Sequence, residues 1–144
     1  VERRVIPLNF GSPKDFQSPR ELGAPSNVAF TIDGTVCSID RKDGKVLWSV
    51  PVAELAFDTA QPVSVPVLVL ASWYVDIDAR NGFPLAPKLS SLILDKRTGA
   101  RIYEKQEALD PGGRGVQFVP SIDNRKLVVD FYHFQLELTF PQSK

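Results

Sequence analysis

An eleven-residue stretch of this chain recurs. Ser38 to Trp48 aligns without a gap on Ile93 to Tyr103, so that Asp40, Gly44 and Trp48 reappear 55 positions later as Asp95, Gly99 and Tyr103. A repeat constrains the fold strongly, because each copy must be a supersecondary unit that packs on its neighbour. The chemistry of the unit is local. The Asp carboxylate accepts backbone N–H bonds in the turn it opens. The Gly supplies positive φ at the end of that turn. The aromatic four residues later packs back against the neighbouring sheet.

The stretches around the repeat alternate with period 2, which predicts strands rather than helices. In Val65 to Asp78 every odd position from Val65 to Ile77 is apolar, while the even positions turn polar after Leu70. This predicts a strand buried on both faces in its first half and on one face in its second. At the far end Tyr132, Phe134, Leu136, Leu138 and Phe140 share one face, with His133, Gln135, Glu137 and Thr139 on the other. Val28 to Ile32 alternates up to Asp33-Gly34, a pair that predicts a two-residue hairpin turn. Further strands are expected at 35–40, 45–50, 89–95, 100–106, 116–119 and 126–129, with 51–62 as a connection. The class is all-β, an antiparallel meander.

Residues 1–27 read differently. Pro7, Pro13, Pro19 and Pro25 recur every sixth position, and each fixes φ and removes a backbone donor. They predict an extended arm docked through Ile6, Leu8, Phe10 and Phe16, with 5–10 as a short edge strand. The remainder, 28–144, divides into units at about 28–50, 65–106 and 116–140.

The repeat resembles the blade motif of pyrroloquinoline-quinone-type β-propellers, the quinoprotein dehydrogenase-like family. The motif reads Ala-x-Asp-x-x-Thr-Gly-x-x-x-Trp, and its Trp docks between adjacent blades. Here Ser38 and Ile93 stand for the Ala, Asp43 for the Thr of the first copy and Tyr103 for the Trp of the second. The resemblance spans about 28–140 as two clear units and one that lacks the Asp-to-Gly turn. It implies a segment of about three blades from the C-terminal part of a larger propeller. A ring needs at least four blades, so three cannot close it. The open face must then be covered by chain that has been removed, by another polypeptide or by identical copies.

Seventeen basic residues balance seventeen acidic ones, whereas a nucleic-acid binder usually carries a basic surplus. No apolar stretch reaches the roughly 18 residues of a membrane span. Cys37 and His133 are the only residues of their kinds, which excludes an internal disulfide, a thiolate zinc cluster and a multi-histidine metal site. The chain has no methionine and begins at Val1. It reads as a piece cut from a longer precursor, expected in the periplasm or outside the cell. A small cytosolic protein with trimmed methionine is the alternative.

No catalytic constellation emerges. Asp58 and Thr59 sit in a stretch similar to the Asp-Thr-Gly loop of aspartic proteases, but Ala60 replaces the Gly and 51–62 reads as a connection. Gly112 to Gly115 reads as a surface turn rather than an anion nest. Asp76 and Asp78, with Asp95 near, read as solvated strand positions rather than metal ligands. His133 has no triad partner, and Cys37 reads as a small buried hydrophobe. Arg41, Lys42 and Lys45 are balanced locally by Asp40 and Asp43. The expectation is a non-enzymatic β-propeller segment. It would serve as scaffold or protein-interaction surface, without cofactor or metal, and complete its fold with another chain or as a homo-oligomer. Two alternatives stand beside it. One is a fragment of a quinone-dependent dehydrogenase, which would need Glu, Asn and Asp ligands from several blades. The other is a free-standing small β-barrel that binds a ligand. Asp40, Gly44, Trp48, Asp95, Gly99 and Tyr103 are the structural repeat positions.

Overall fold

A computed structural model describes residues 2–8, 29–58, 61, 65–109, 116–120 and 126–141. The arm residues Phe10 and Phe16, the Thr59-Ala60 pair and the Gly112 to Gly115 turn lie outside them. The described residues form nine strands and no helix. None, therefore, is a helix long and apolar enough to cross a membrane. The all-β class expected from period-2 patterning holds. The strands lie in two compact units, one built from 29–58 and 66–109, the other from 1–28, 59–65 and 110–144.

The first unit is a five-stranded antiparallel sheet in the order β2-β3-β4-β5-β6. Its strands are β2 (Ala29–Ile39), β3 (Val46–Asp58), β4 (Val67–Tyr74), β5 (Lys88–Asp95) and β6 (Arg101–Ala108). In β4 Val67, Val69, Leu70 and Ala71 are buried and Ser72 to Tyr74 are half-buried, but the strand ends at Tyr74 rather than Asp78, and Ile77, expected on its apolar face, is 61% exposed. β5 is buried along both faces from Ser91 to Asp95. The sheet does not stay flat. β3 pairs with β4 only through Ala56 and Phe57, and its N-terminal half leaves β4. The core between the layers is Val50, Val52, Leu55, Leu70, Leu92 and Leu94, with Ile32, Val36, Trp48, Phe57 and Leu68 against it.

Three expectations on this unit are corrected. Asp33-Gly34 is not a hairpin turn: β2 runs straight through it, and the register shifts between Ile32 and Gly34. Two residues, Ala53 and Glu54, stand opposite Asp33, and Glu54 has φ 52°. This is a bulge, and bulges bend the strand that carries them. Likewise 51–58 is not a connection but the second half of β3. Pro51 is tolerated there because its carbonyl faces away from β2, accepting Arg101 Nη2 at 3.3 Å. Its missing N–H therefore costs no ladder bond. Cys37, expected to be buried, is exposed; it has the opposite parity to the core residue Val36.

The second unit is a four-stranded sheet in the order β1-β9-β8-β7, with β1 (Glu2–Pro7), β7 (Gln117–Pro120), β8 (Lys126–Asp130) and β9 (Phe134–Thr139). The edge strand expected at 5–10 lies instead at Glu2–Pro7, and it pairs parallel with β9. Leu127, Val129, Phe131, Phe134, Leu136 and Leu138 are buried. Phe131 stacks on Phe134 with ring centroids 5.2 Å apart, and the Arg4 guanidinium lies 3.7 Å above the Phe134 ring. Tyr132 does not extend the apolar face of β9. Asp130 Oδ1 accepts its N–H at 3.0 Å, the His133 N–H bonds the Phe131 carbonyl at 2.8 Å, and Tyr132 has φ 71°. This tight γ-turn throws its ring into solvent. On the other face of β9, Glu137 is buried between Lys126 Nζ at 2.9 Å and Arg3 Nε at 3.5 Å.

Leu70 is fully buried in the core of the five-stranded unit. Leu70→Ala is expected to destabilise the chain by about 2–5 kcal/mol, the cost of lost burial plus a cavity. Urea unfolding monitored by tryptophan fluorescence would measure it.

Candidate functional site

The repeat is preserved in three dimensions, bond for bond. In the β2–β3 hairpin the Gly44 N–H bonds the Asp40 carbonyl at 2.8 Å, and the Asp40 N–H bonds the Lys45 carbonyl at 2.8 Å. In β5–β6 the Gly99 N–H bonds the Asp95 carbonyl at 2.8 Å, and the Asp95 N–H bonds the Ala100 carbonyl at 2.9 Å. Asp40 Oδ1 accepts the Lys42 N–H at 2.8 Å, and Asp95 Oδ1 accepts the Arg97 N–H at 2.8 Å. Gly44 and Gly99 have φ 73° and 77°, the left-handed region in which only glycine is unstrained.

The equivalence continues into the strands. Ser38 pairs with Trp48 and Ile39 with Val46; Ile93 pairs with Tyr103 and Leu94 with Arg101. Leu47 and Ile102 are therefore the extra residues of two matching bulges. A bulge re-aims the side chain beside it, and that side chain is the repeat aromatic in both copies.

The position where the motif has Thr is filled by different residues with one role. Asp43 Oδ1 accepts the Lys45 N–H at 3.0 Å, and Thr98 Oγ1 accepts the Ala100 N–H at 3.2 Å. A third turn of the same kind lies between β4 and β5. The Gly82 N–H bonds the Asp78 carbonyl at 2.8 Å, the Asp78 N–H bonds the Phe83 carbonyl at 2.9 Å, and Gly82 has φ 71°. Asp78 Oδ1 accepts the Arg80 N–H, and Asn81 Oδ1 accepts the Phe83 N–H, each at 2.9 Å. Its signal was present in the sequence, since Asp78, Asn81 and Gly82 keep the spacing of Asp40, Asp43 and Gly44.

The two hairpins meet through Trp48. Its indole Nε1–H donates to the Lys96 carbonyl at 2.7 Å. A Cβ built on Gly99 would stand 2.8 Å from the indole ring. The aromatic of the first copy is thus seated on the turn of the second. Gly99 is buried by it, whereas Gly44 is exposed. Tyr103 lies half-buried in β6. Asp95, the carboxylate that shapes the occupied turn, is buried and receives Arg97 Nη2 at 2.9 Å. That bond holds its carboxyl below the ordinary aspartate range, against the opposing effect of burial. Burial pushes the neighbouring Lys96 ammonium down.

The weaker motifs do not converge. Asp76 pairs with Lys88 at 3.0 Å, Asp78 with Arg80 at 3.4 Å and Asp95 with Arg97, so each carboxylate has its own cation. No group of three His, Cys, Asp or Glu that could hold a metal occurs among the described residues. Asp58 ends β3 opposite Ala29. His133 sits in the β8–β9 turn with its ring edge-on to Tyr132. A cleft of about 270 Å³ lies between Val52, Leu55, Ser90 and Leu92. In its lining Arg101 bonds Glu104 and the Pro51 carbonyl, and the Ser91 hydroxyl donates to the Lys105 carbonyl at 3.4 Å. It is also smaller than ordinary small-molecule pockets. No family model, no curated protein and no solved structure matches the chain.

Alanine at Gly44 should cost about 1–2 kcal/mol for its left-handed backbone. Alanine at Gly99 should cost about 1–3 kcal/mol more, because its methyl also collides with Trp48. Paired urea titrations would read the difference, and equal midpoints would show that Trp48 is not seated there. A carboxyl with a lowered folded-state pKa binds fewer protons than in the unfolded chain, so its contribution is present above the unfolded value of about 3.9 and is lost as pH falls through the folded one. Arg97→Gln should therefore be less stable than the native chain at neutral pH, with the gap closing below about pH 4. Urea midpoints across that range would follow it.

Proposed function

We propose that the chain is a non-enzymatic segment of a β-propeller-type protein that serves as scaffold or interaction surface and completes its fold with another chain. The observation that carries this reading is Trp48 of one repeat seated on the Gly99 turn of the next. Such a contact is directional. It runs from the aromatic of one unit to the turn of its successor, and a heterologous contact of this kind propagates until a ring closes or a cap ends it. The two matching hairpins, with their shared bulges and turn bonds, fit the blade motif that the sequence resembles. Asp76, Asp78 and Asp95 are each tied to their own cation rather than gathered in a site, which fits a structural role better than a quinone-binding one.

The chain purified from its natural source under native conditions and cross-linked at short range is expected to run with a second polypeptide in fixed stoichiometry. Recovery of the chain alone, at its natural abundance, would overturn the reading.

A further inference from the structure

We propose that the cleft beneath the bent half of β3 binds a free α-amino acid with an aliphatic side chain, of the size of leucine. Such a site stands whether or not a second polypeptide completes the fold. Two bulges build it. At the first, Ala53 and Glu54 together face Asp33, and β3 pairs with β4 only beyond it, through Ala56 and Phe57. About 270 Å³ lies between Val52 and Leu55 of the departing strand and Ser90 and Leu92 of β5. Glu54 holds φ 52° at this point. Left-handed non-glycine residues collect at ligand sites, and bulges are over-represented beside them.

The second bulge arms the rim. Arg101 and Glu104 are three residues apart, and on a regular strand they would point to opposite faces. Ile102 is the extra residue of the β6 bulge, so Arg101 stands opposite Leu94 and Glu104 opposite Leu92. Cross-strand partners share a face, and both charged residues line the cleft. The repeat does not call for this pair. Its counterparts 55 positions earlier are Val46 and Ser49. Both copies carry the bulge, and only the second places two opposite charges on it.

The lining selects the ligand. Val52, Leu55 and Leu92 are buried and form an apolar floor, whereas Arg101 and Glu104 are exposed at the mouth. Arg101 bonds Glu104 through Nη1 and the Pro51 carbonyl through Nη2, the latter at 3.3 Å. Among the described residues these bonds use two of the guanidinium's five N–H donors and one of the carboxylate's roughly four acceptor sites. A simple anion would meet Glu104 as well as Arg101, and a simple cation the reverse. An α-amino acid matches both, with its carboxylate on the guanidinium and its ammonium on the carboxylate. One aliphatic side chain then covers the floor. The cleft falls short of the size that drug-sized ligands need, which suits a ligand this small.

The test is a titration of the nitrogen-labelled full chain with L-leucine, read by amide chemical shifts. N-acetyl-leucine, which lacks the ammonium, leucinamide, which lacks the carboxylate, and glycine, which lacks the side chain, are run in parallel. Leucine should move the Val52, Leu55, Ser91 and Leu92 amides in a saturable way, with a dissociation constant on the order of millimolar. Each of the other three should bind at least about tenfold more weakly, since each forfeits one charge-assisted contact or the apolar one. In Glu104→Gln the affinity for leucine should fall by about the same factor while that for N-acetyl-leucine stays as it was. Overturning results are lining amides that leucine leaves unmoved, N-acetyl-leucine, leucinamide or glycine binding as tightly as leucine, or a folded Glu104→Gln that binds leucine as the native chain does. The titrations of the native chain decide the matter even if that variant does not fold.

Discussion

The contact between the Trp48 indole and the Gly99 turn organises the five-stranded unit. For the indole to reach the Lys96 carbonyl, the N-terminal half of β3 must leave β4 and cross over the β4–β6 layer. That crossing needs a bend, which the Ala53-Glu54 bulge supplies at the cost of a left-handed Glu54. A non-glycine residue in that region costs about 1–3 kcal/mol and persists only where its surroundings over-determine it. Here the surroundings are Val50, Val52 and Leu55 on either side of the bulge, all in the shared core. The hydrogen bond contributes about 1 kcal/mol by itself. Its larger effect is to fix the register of one hairpin on the other.

The turn beneath the indole is equally determined. Asp95 accepts from the Arg97 backbone and side chain at once, so the carboxylate is satisfied even though it is buried. A buried charge without partners would cost far more than this arrangement. The four-stranded unit solves the same problem differently: Glu137 lies on the polar face of β9, bracketed by cations from the strands on both sides. The alternation of β9 therefore separates an apolar face from a charged one without leaving the charged face wet.

Much of this architecture was legible because its signals are local. Period-2 alternation located most of the strands, and the positions of Asp, Gly and the aromatic located the paired hairpins. What failed depended on partners. Asp33-Gly34 looks the same whether its backbone freedom makes a turn or a bulge, and only the strand opposite decides. The alternation of β9 continues two residues ahead of the strand, to Tyr132, because a γ-turn does not interrupt an apolar pattern. The third turn keeps the Asp-to-Gly spacing, but Asn81 stands where the other two have Asp43 and Thr98; what the three share is a side-chain oxygen that accepts the N–H two residues on. The seating of Trp48 on Gly99 joins positions distant in sequence, and no local pattern specifies which turn an aromatic will find.

The parallel pairing of β1 with β9 has a consequence for the order in which structure forms. β2 through β6 are joined by neighbouring hairpins, so their contacts close short loops and cost little entropy. β1 pairs with Phe134–Thr139, at the opposite end of the described chain. Contacts of such separation slow folding, and in synthesis the first strand emerges long before its partner. The five-stranded unit is therefore assembled while Glu2–Pro7 is still waiting, with both of its hydrogen-bonding edges open. The four-stranded sheet can gain its edge strand only once Phe134–Thr139 is in place.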